Sequence, residues 1–197
     1  ENARGHLSLA QAHLMNKDIP LAVDALNQGI RLNPASKELR RALARVYAAR
    51  KDFSAAEEQL VKITEIDPKD LRALGDLGDF RMSRSQYGEA RKLYEKIVEQ
   101  APKVPGGYLK LARLSEVKGD RDAAIKILEK GYAANSDSMP LLAALVKAYT
   151  LDGKTRRPQK LCEEKIAKYP DNAFTYNLLA QVHLAGKKPQ EAEKALK

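Results

Sequence analysis

The chain has 197 residues, 44% of them hydrophobic, with one Cys, no Trp, 11 Gly and 9 Pro. That is enough apolar material for a sizeable core, too little Gly and Pro for low-complexity disorder, and too little Cys for an internal disulfide framework. Thirty-five basic against 26 acidic residues give +9, spread along the whole chain; this favours anionic partners in general without naming one, and no apolar run approaches the ~20 residues of a membrane span.

Prolines fall at Pro34, Pro68, Pro102 and Pro170, at multiples of 34 residues, and Ser136 holds the skipped place. Internal repeats are the first thing such spacing implies. With these residues at position 32 of each unit, repeats begin at Ala3, Lys37, Leu71, Pro105, Met139 and Ala173.

In chain order, the first repeat predicts helices over 3–16 and 19–32, with Leu9-Ala10, His13, Ala22 and Leu26 on their inner faces. The second, opened by Ser36 as N-cap, predicts 37–50 and 53–66, carrying Leu43-Ala44, Tyr47, Ala56 and Leu60. The third, capped by Asp70, predicts 71–84 and 87–100, with Leu77-Gly78, Arg81 beside Phe80, Ala90 and Tyr94. The fourth predicts 105–118 and 121–134; Val104 is a poor cap, and Gly106-Gly107 loosens the helix start. The fifth, capped by Ser138, predicts 139–151 and 156–168, with Pro158 near the first position of a late helix and looser packing around 152–160. The sixth, capped by Asn172, predicts 173–185 and a shortened 189–197.

Residues three and four apart share a helix face. Positions 4, 7, 8 and 11 therefore form one apolar stripe and positions 20, 24, 27 and 28 a second. Small residues at 8 and 20 let the paired helices approach, and Asp18, Asp52 and Asp120 precede the second helices as caps. One pair cannot bury its apolar faces alone, so neighbouring pairs must stack.

The pattern resembles the tetratricopeptide repeat (TPR) family, whose motif has Leu at 7, a small residue at 8, an aromatic at 11, Ala at 20 and Pro at 32. Repeat two (Leu43-Ala44, Tyr47, Ala56, Leu60, Pro68) and repeat three (Leu74, Leu77-Gly78, Tyr87, Ala90, Tyr94, Pro102) carry it best. The resemblance implies an all-α, right-handed superhelical solenoid of about five and a half repeats over 1–197, read as one domain and as a piece of a longer chain. Repeats then run over about 3–36, 37–70, 71–104, 105–138, 139–172 and a truncated 173–197.

The family's first helices line a concave groove at about positions 2, 5, 6, 9, 12 and 13. On this chain the resemblance nominates Arg4, Gln11, Arg41, Arg45, Arg72, Asp76, Asp79, Lys110, Arg113, Lys147, Asn177 and Gln181 as groove residues. It implies a protein-interaction scaffold holding a peptide or protein segment. The chaperone-tail clamp known in one TPR subclass is rejected: its asparagines are absent, and Asp76 would repel a carboxylate.

No catalytic set, cofactor loop or metal cluster is legible, and no enzymatic activity or cofactor is expected. His13 and His183 stand at position 11 in place of aromatics, and Cys162 reads as a buried structural thiol. Nucleic-acid binding is disfavoured, because most tyrosines fall in packing columns and Phe174 is the sole aromatic at a groove position. The alternatives kept open are recognition of a polyanion (acidic polysaccharide or nucleic acid) and service as the non-catalytic arm of a larger enzyme or envelope export protein. The compartment stays open between cytoplasm and periplasm.

Overall fold

The computed structural model describes residues 3–197. Twelve helices and no strand occur among them: α1 Ala3–Met15, α2 Ile19–Leu32, α3 Lys37–Ala49, α4 Phe53–Ile66, α5 Leu71–Ser83, α6 Tyr87–Gln100, α7 Pro105–Val117, α8 Arg121–Ala134, α9 Met139–Leu151, α10 Arg156–Lys168, α11 Ala173–Ala185 and α12 Pro189–Ala195. They form six helix pairs in the predicted register, an all-α repeat fold. The chain divides into two compact units, the boundary falling between Leu93 and Tyr94 inside α6.

Capping follows the sequence closely. Ser36, Asp70, Ser138 and Asn172 each accept from the backbone N–H three residues on, as do Asp52 and Asp120. Asp18 sits at the cap position of α2 without such a bond. In the fifth repeat Thr155 precedes α10 with no side-chain cap, and Pro158 is the third helical residue and buried. A proline there forfeits no intrahelical bond, since the first turn's N–H groups have no partner anyway.

The first helices of repeats one to four end one residue short of the expected bound and those of repeats five and six end where expected, so that every first helix stops at position 13 of its repeat. The reason is a left-handed residue at position 15 of every repeat: Lys17, Lys51, Ser85, Gly119, Gly153 and Lys187, with φ between 58° and 79°. The next N–H then reaches back to a carbonyl five residues earlier, as from Asp52 to Tyr47 and from Asp120 to Ser115, closing the helix end. Four of the six are not glycine, so no glycine signal marked the turn.

In the first unit Ala10, Ala22, Leu26, Leu39, Leu43 and Val46 build one core. Leu9, expected inside with Leu43 and Leu77, is 46% exposed. It lies on α1, which has packed helices on one side only among the described residues, whereas α3 packs against α1 and α2 as well as α4. In the second unit Tyr108, Leu128, Leu141, Leu142, Leu145, Cys162, Leu178 and Val182 form the corresponding core. Burial pushes the Cys162 thiol up to about 12, as befits an inert core thiol.

Position 27 faces position 4, and their volumes trade off. Gly131 lies against Tyr108, where an added Cβ would stand 2.7 Å from the ring. Gly29 lies against His6 in the same way, at 2.8 Å. Gly107 is also a close-approach residue: a Cβ there would meet Val98 at 2.7 Å, so it permits contact rather than loosening the helix start. The fifth repeat solves position 27 differently. Lys165, 4% exposed, donates to the Ser136 carbonyl at 2.5 Å and to Asp137 at 2.9 Å, with its ammonium over the Tyr132 and Tyr169 rings. It ties down the turn that lacks the repeat's proline. Lys168 and Lys165 together hold the Asp137 carboxyl far below the usual carboxylate range.

Candidate functional site

The sequence-nominated residues do not act alike. Arg41, Arg45, Asp76 and Asp79 converge in the first unit around a concavity of about 250 Å³, whose remaining lining is Ala44, Ala48, Leu60 and Phe80. Helices α3 and α5 supply most of it and α4 gives Leu60. The floor is apolar and the rim charged, the combination that grips a side chain and orients its flanks.

Arg41 is a wall of this site. It is 8% exposed, and its Nε donates to Asp76 Oδ2 at 2.5 Å. Its Nη2 is buried with no hydrogen-bond partner. The ion pair joins the first helices of successive repeats and removes Asp76 as an isolated charge. Arg45, one turn further along α3, is exposed; it supplies the accessible cation.

Phe80 was not nominated, yet it lines the concavity. Its neighbour Arg81 occupies the family's aromatic position and turns away to Glu57, donating from Nε at 2.8 Å. The aromatic has in effect moved back one residue. It meets Phe53 with ring centroids 6.5 Å apart, and Arg84 stacks over Phe53 at 4.0 Å. The misplaced Phe80-Arg81 pair was visible in the sequence; its consequence required the backbone.

A second, smaller concavity of about 210 Å³ lies in the second unit between Glu116, Arg121, Ala124, Lys147, Ala148 and Leu151. Of the nominated residues only Lys147 reaches it. Lys110 lies over the Tyr94 ring at 5.7 Å, and Asn177 donates to the Ala173 carbonyl of its own helix. Arg4, Gln11, Arg72, Arg113, Asn177 and Gln181 are exposed and line neither concavity. Among the described residues no group of His, Cys, Asp and Glu could hold a metal ion, and no helix is long and apolar enough to cross a membrane.

The tetratricopeptide repeat model matches residues 13–77 and 81–149, more than half of the chain. Cellulose synthase operon protein C of Pseudomonas fluorescens (strain SBW25) is 28% identical over 170 residues, which are 81% of this chain and 13% of that protein. The chain therefore spans about an eighth of the length of this curated relative. Among solved structures, a tetratricopeptide repeat protein from Parabacteroides merdae superposes with a TM-score of 0.62 at 13% identity, covering 97% of this chain and 76% of that one. Pseudomonas aeruginosa pilF gives 0.63 at 16%, covering 97% and 87%. At such identities the likeness shows the fold alone. The match to the repeat model, the 34-residue register and the paired helices agree, and the chain belongs to the tetratricopeptide repeat family.

Proposed function

We propose that this chain is a non-catalytic scaffold that holds a segment of another protein in the first unit's concavity. Stacked helix repeats as a class present extended binding surfaces. The observation that carries the site is the apolar floor of Ala44, Ala48, Leu60 and Phe80 beneath Arg45, with Arg41 and Asp76 already paired through one ion pair. An apolar side chain of an extended segment fills the floor, and the acceptors flanking it meet Arg45.

Arg45→Glu combined with Phe80→Ala should weaken capture of the partner by at least tenfold while leaving helicity intact, since Arg45 is exposed and Phe80 only partly buried. Pull-down of the native partner by wild-type and variant chains, each checked by circular dichroism, makes the comparison. Equal recovery by both would remove this concavity from the account. Arg41 is unsuited to that test because it is a buried structural partner.

A second reading, that these repeats are one arm of a much larger chain, is supported by the curated relative, of which the matching stretch is 13%.

A further inference from the structure

The turns that join the paired helices of the fifth and sixth repeats carry a surface that the binding proposal leaves unused. Residues 153–160 read Gly-Lys-Thr-Arg-Arg-Pro-Gln-Lys, with four bases and no acid, and Lys187-Lys188 follow Gly186 in the next such turn. The two turns adjoin: a Cβ on Gly186 would stand 3.6 Å from Thr155. Arg156, Arg157, Gln159, Lys160 and Glu163 surround an open hollow of about 700 Å³ on α10.

Two large aliphatic side chains flank these bases: Leu151, 60% exposed at the end of α9, and Leu184, 58% exposed near the end of α11. Leu151 is not bared by the end of the chain, because the sixth repeat follows it. The local acids are mostly engaged, and Glu163, on the hollow itself, accepts from Gln159 Nε2 at 2.8 Å. Asp152 holds Lys154 at 2.5 Å, Asp122 stands 3.8 Å from Lys154, and Glu164 stands 3.7 Å from Lys160. Exposed Arg156, Lys187 and Lys188 keep their charge for an outside partner.

We propose that this edge of the second unit docks on an anionic lipid bilayer, the bases meeting headgroup phosphates and Leu151 and Leu184 entering the interface. Bases alone would suit any polyanion. Bases interleaved with exposed aliphatic side chains suit a surface that has charge outside and hydrocarbon beneath. Aromatic stacking platforms, which single-stranded nucleic acid favours, do not line the hollow. Each base near an anionic leaflet strengthens partition by about fivefold, an effect confined to a Debye length.

The full chain should co-sediment with phosphatidylcholine vesicles containing about one-third phosphatidylglycerol, and release at high salt. It should not sediment with pure phosphatidylcholine. Arg156→Glu with Lys187→Glu and Lys188→Glu should lower partition by about a hundredfold or more. Leu151→Ser with Leu184→Ser should lower it by roughly tenfold and leave binding to a soluble polyanion such as poly-dT unchanged. All of these positions are exposed, and matched melting curves confirm the fold. Absence of binding to the anionic vesicles at low salt overturns the proposal. So does vesicle binding that ignores the leucines and is matched by poly-dT, which would assign the edge to a polymer. Partner capture through Arg45 and Phe80 is unaffected by either result.

Discussion

Gly131→Leu should destabilise the second unit by about 2 kcal/mol, although it replaces the poorest non-proline helix former with one of the best. The propensity change alone would stabilise by up to about 1 kcal/mol. The clash outweighs it, because even the first added carbon would lie 2.7 Å from Tyr108 Cγ and 2.8 Å from its Cβ. Tyr108 is 3% exposed within the core and cannot swing into solvent without vacating it. Tyr108→Ala alone should cost about 3–5 kcal/mol through the cavity it leaves. The double variant fills that cavity from the opposite helix, so its loss should fall short of the sum by about 1–3 kcal/mol. Gly88→Ala is the control, since nothing lies within 4 Å of a Cβ there. Denaturant melts of the four variants read the cycle, and strict additivity would refute the proposed trade of volume between positions 4 and 27.

Asp76→Ala should cost about 3 kcal/mol, whereas Arg41→Met should cost less than about 1 kcal/mol or even stabilise. The asymmetry follows from burial. Arg41's side chain is 9% exposed and Asp76's is 33% exposed. Removing the carboxylate strands a buried guanidinium whose Nη2 already lacks a partner. Removing the guanidinium leaves a carboxylate that water can reach, and methionine retains much of the arginine stem's packing. The value for Asp76→Ala is taken at the low end of the range for broken buried pairs, because its partial exposure admits water. In a chain of this size about 3 kcal/mol corresponds to a fall of about 6–12 °C in Tm. Adding Arg41→Met to Asp76→Ala should restore most of it. If the two single variants melt alike, the ion pair is a surface contact of little weight.

The repeat register was legible because the period acts on every level at once. Prolines, leucines and small residues share a 34-residue spacing, and each of the twelve helices was expected in its place. What escaped was set by geometry that no single column encodes. The left-handed residue ending each first helix is lysine at three turns, serine at one and glycine at two, so the tolerance lies in the backbone bond pattern rather than in residue type. Gly131 and Gly29 make sense only opposite Tyr108 and His6, 23 residues away in each case. Lys165 stands at position 27, in an apolar column, and is a tether on the turn at Ser136.

At the candidate site, the sequence pointed to charge and under-read the apolar part. Arg41, Arg45, Asp76 and Asp79 do meet, but Phe80 and Leu60 supply much of the floor. Arg41 proves to be architecture rather than an open charge. Positions such as Arg4, Arg72 and Gln181 share the nominated helix faces without joining either concavity. A face is a property of one helix, whereas a concavity needs neighbouring helices at a particular spacing, and sequence periodicity reports only the first.

The most direct test of the binding claim places a photo-reactive phenylalanine analogue at position 80 and, as the comparison, at exposed position 58 on α4. Irradiation in the parent cell should yield a covalent adduct from position 80, mapping to one extended segment of one partner, and none from position 58. No adduct from position 80, or the same adducts from both positions, would contradict the claim that the first unit's concavity is where this chain holds its partner.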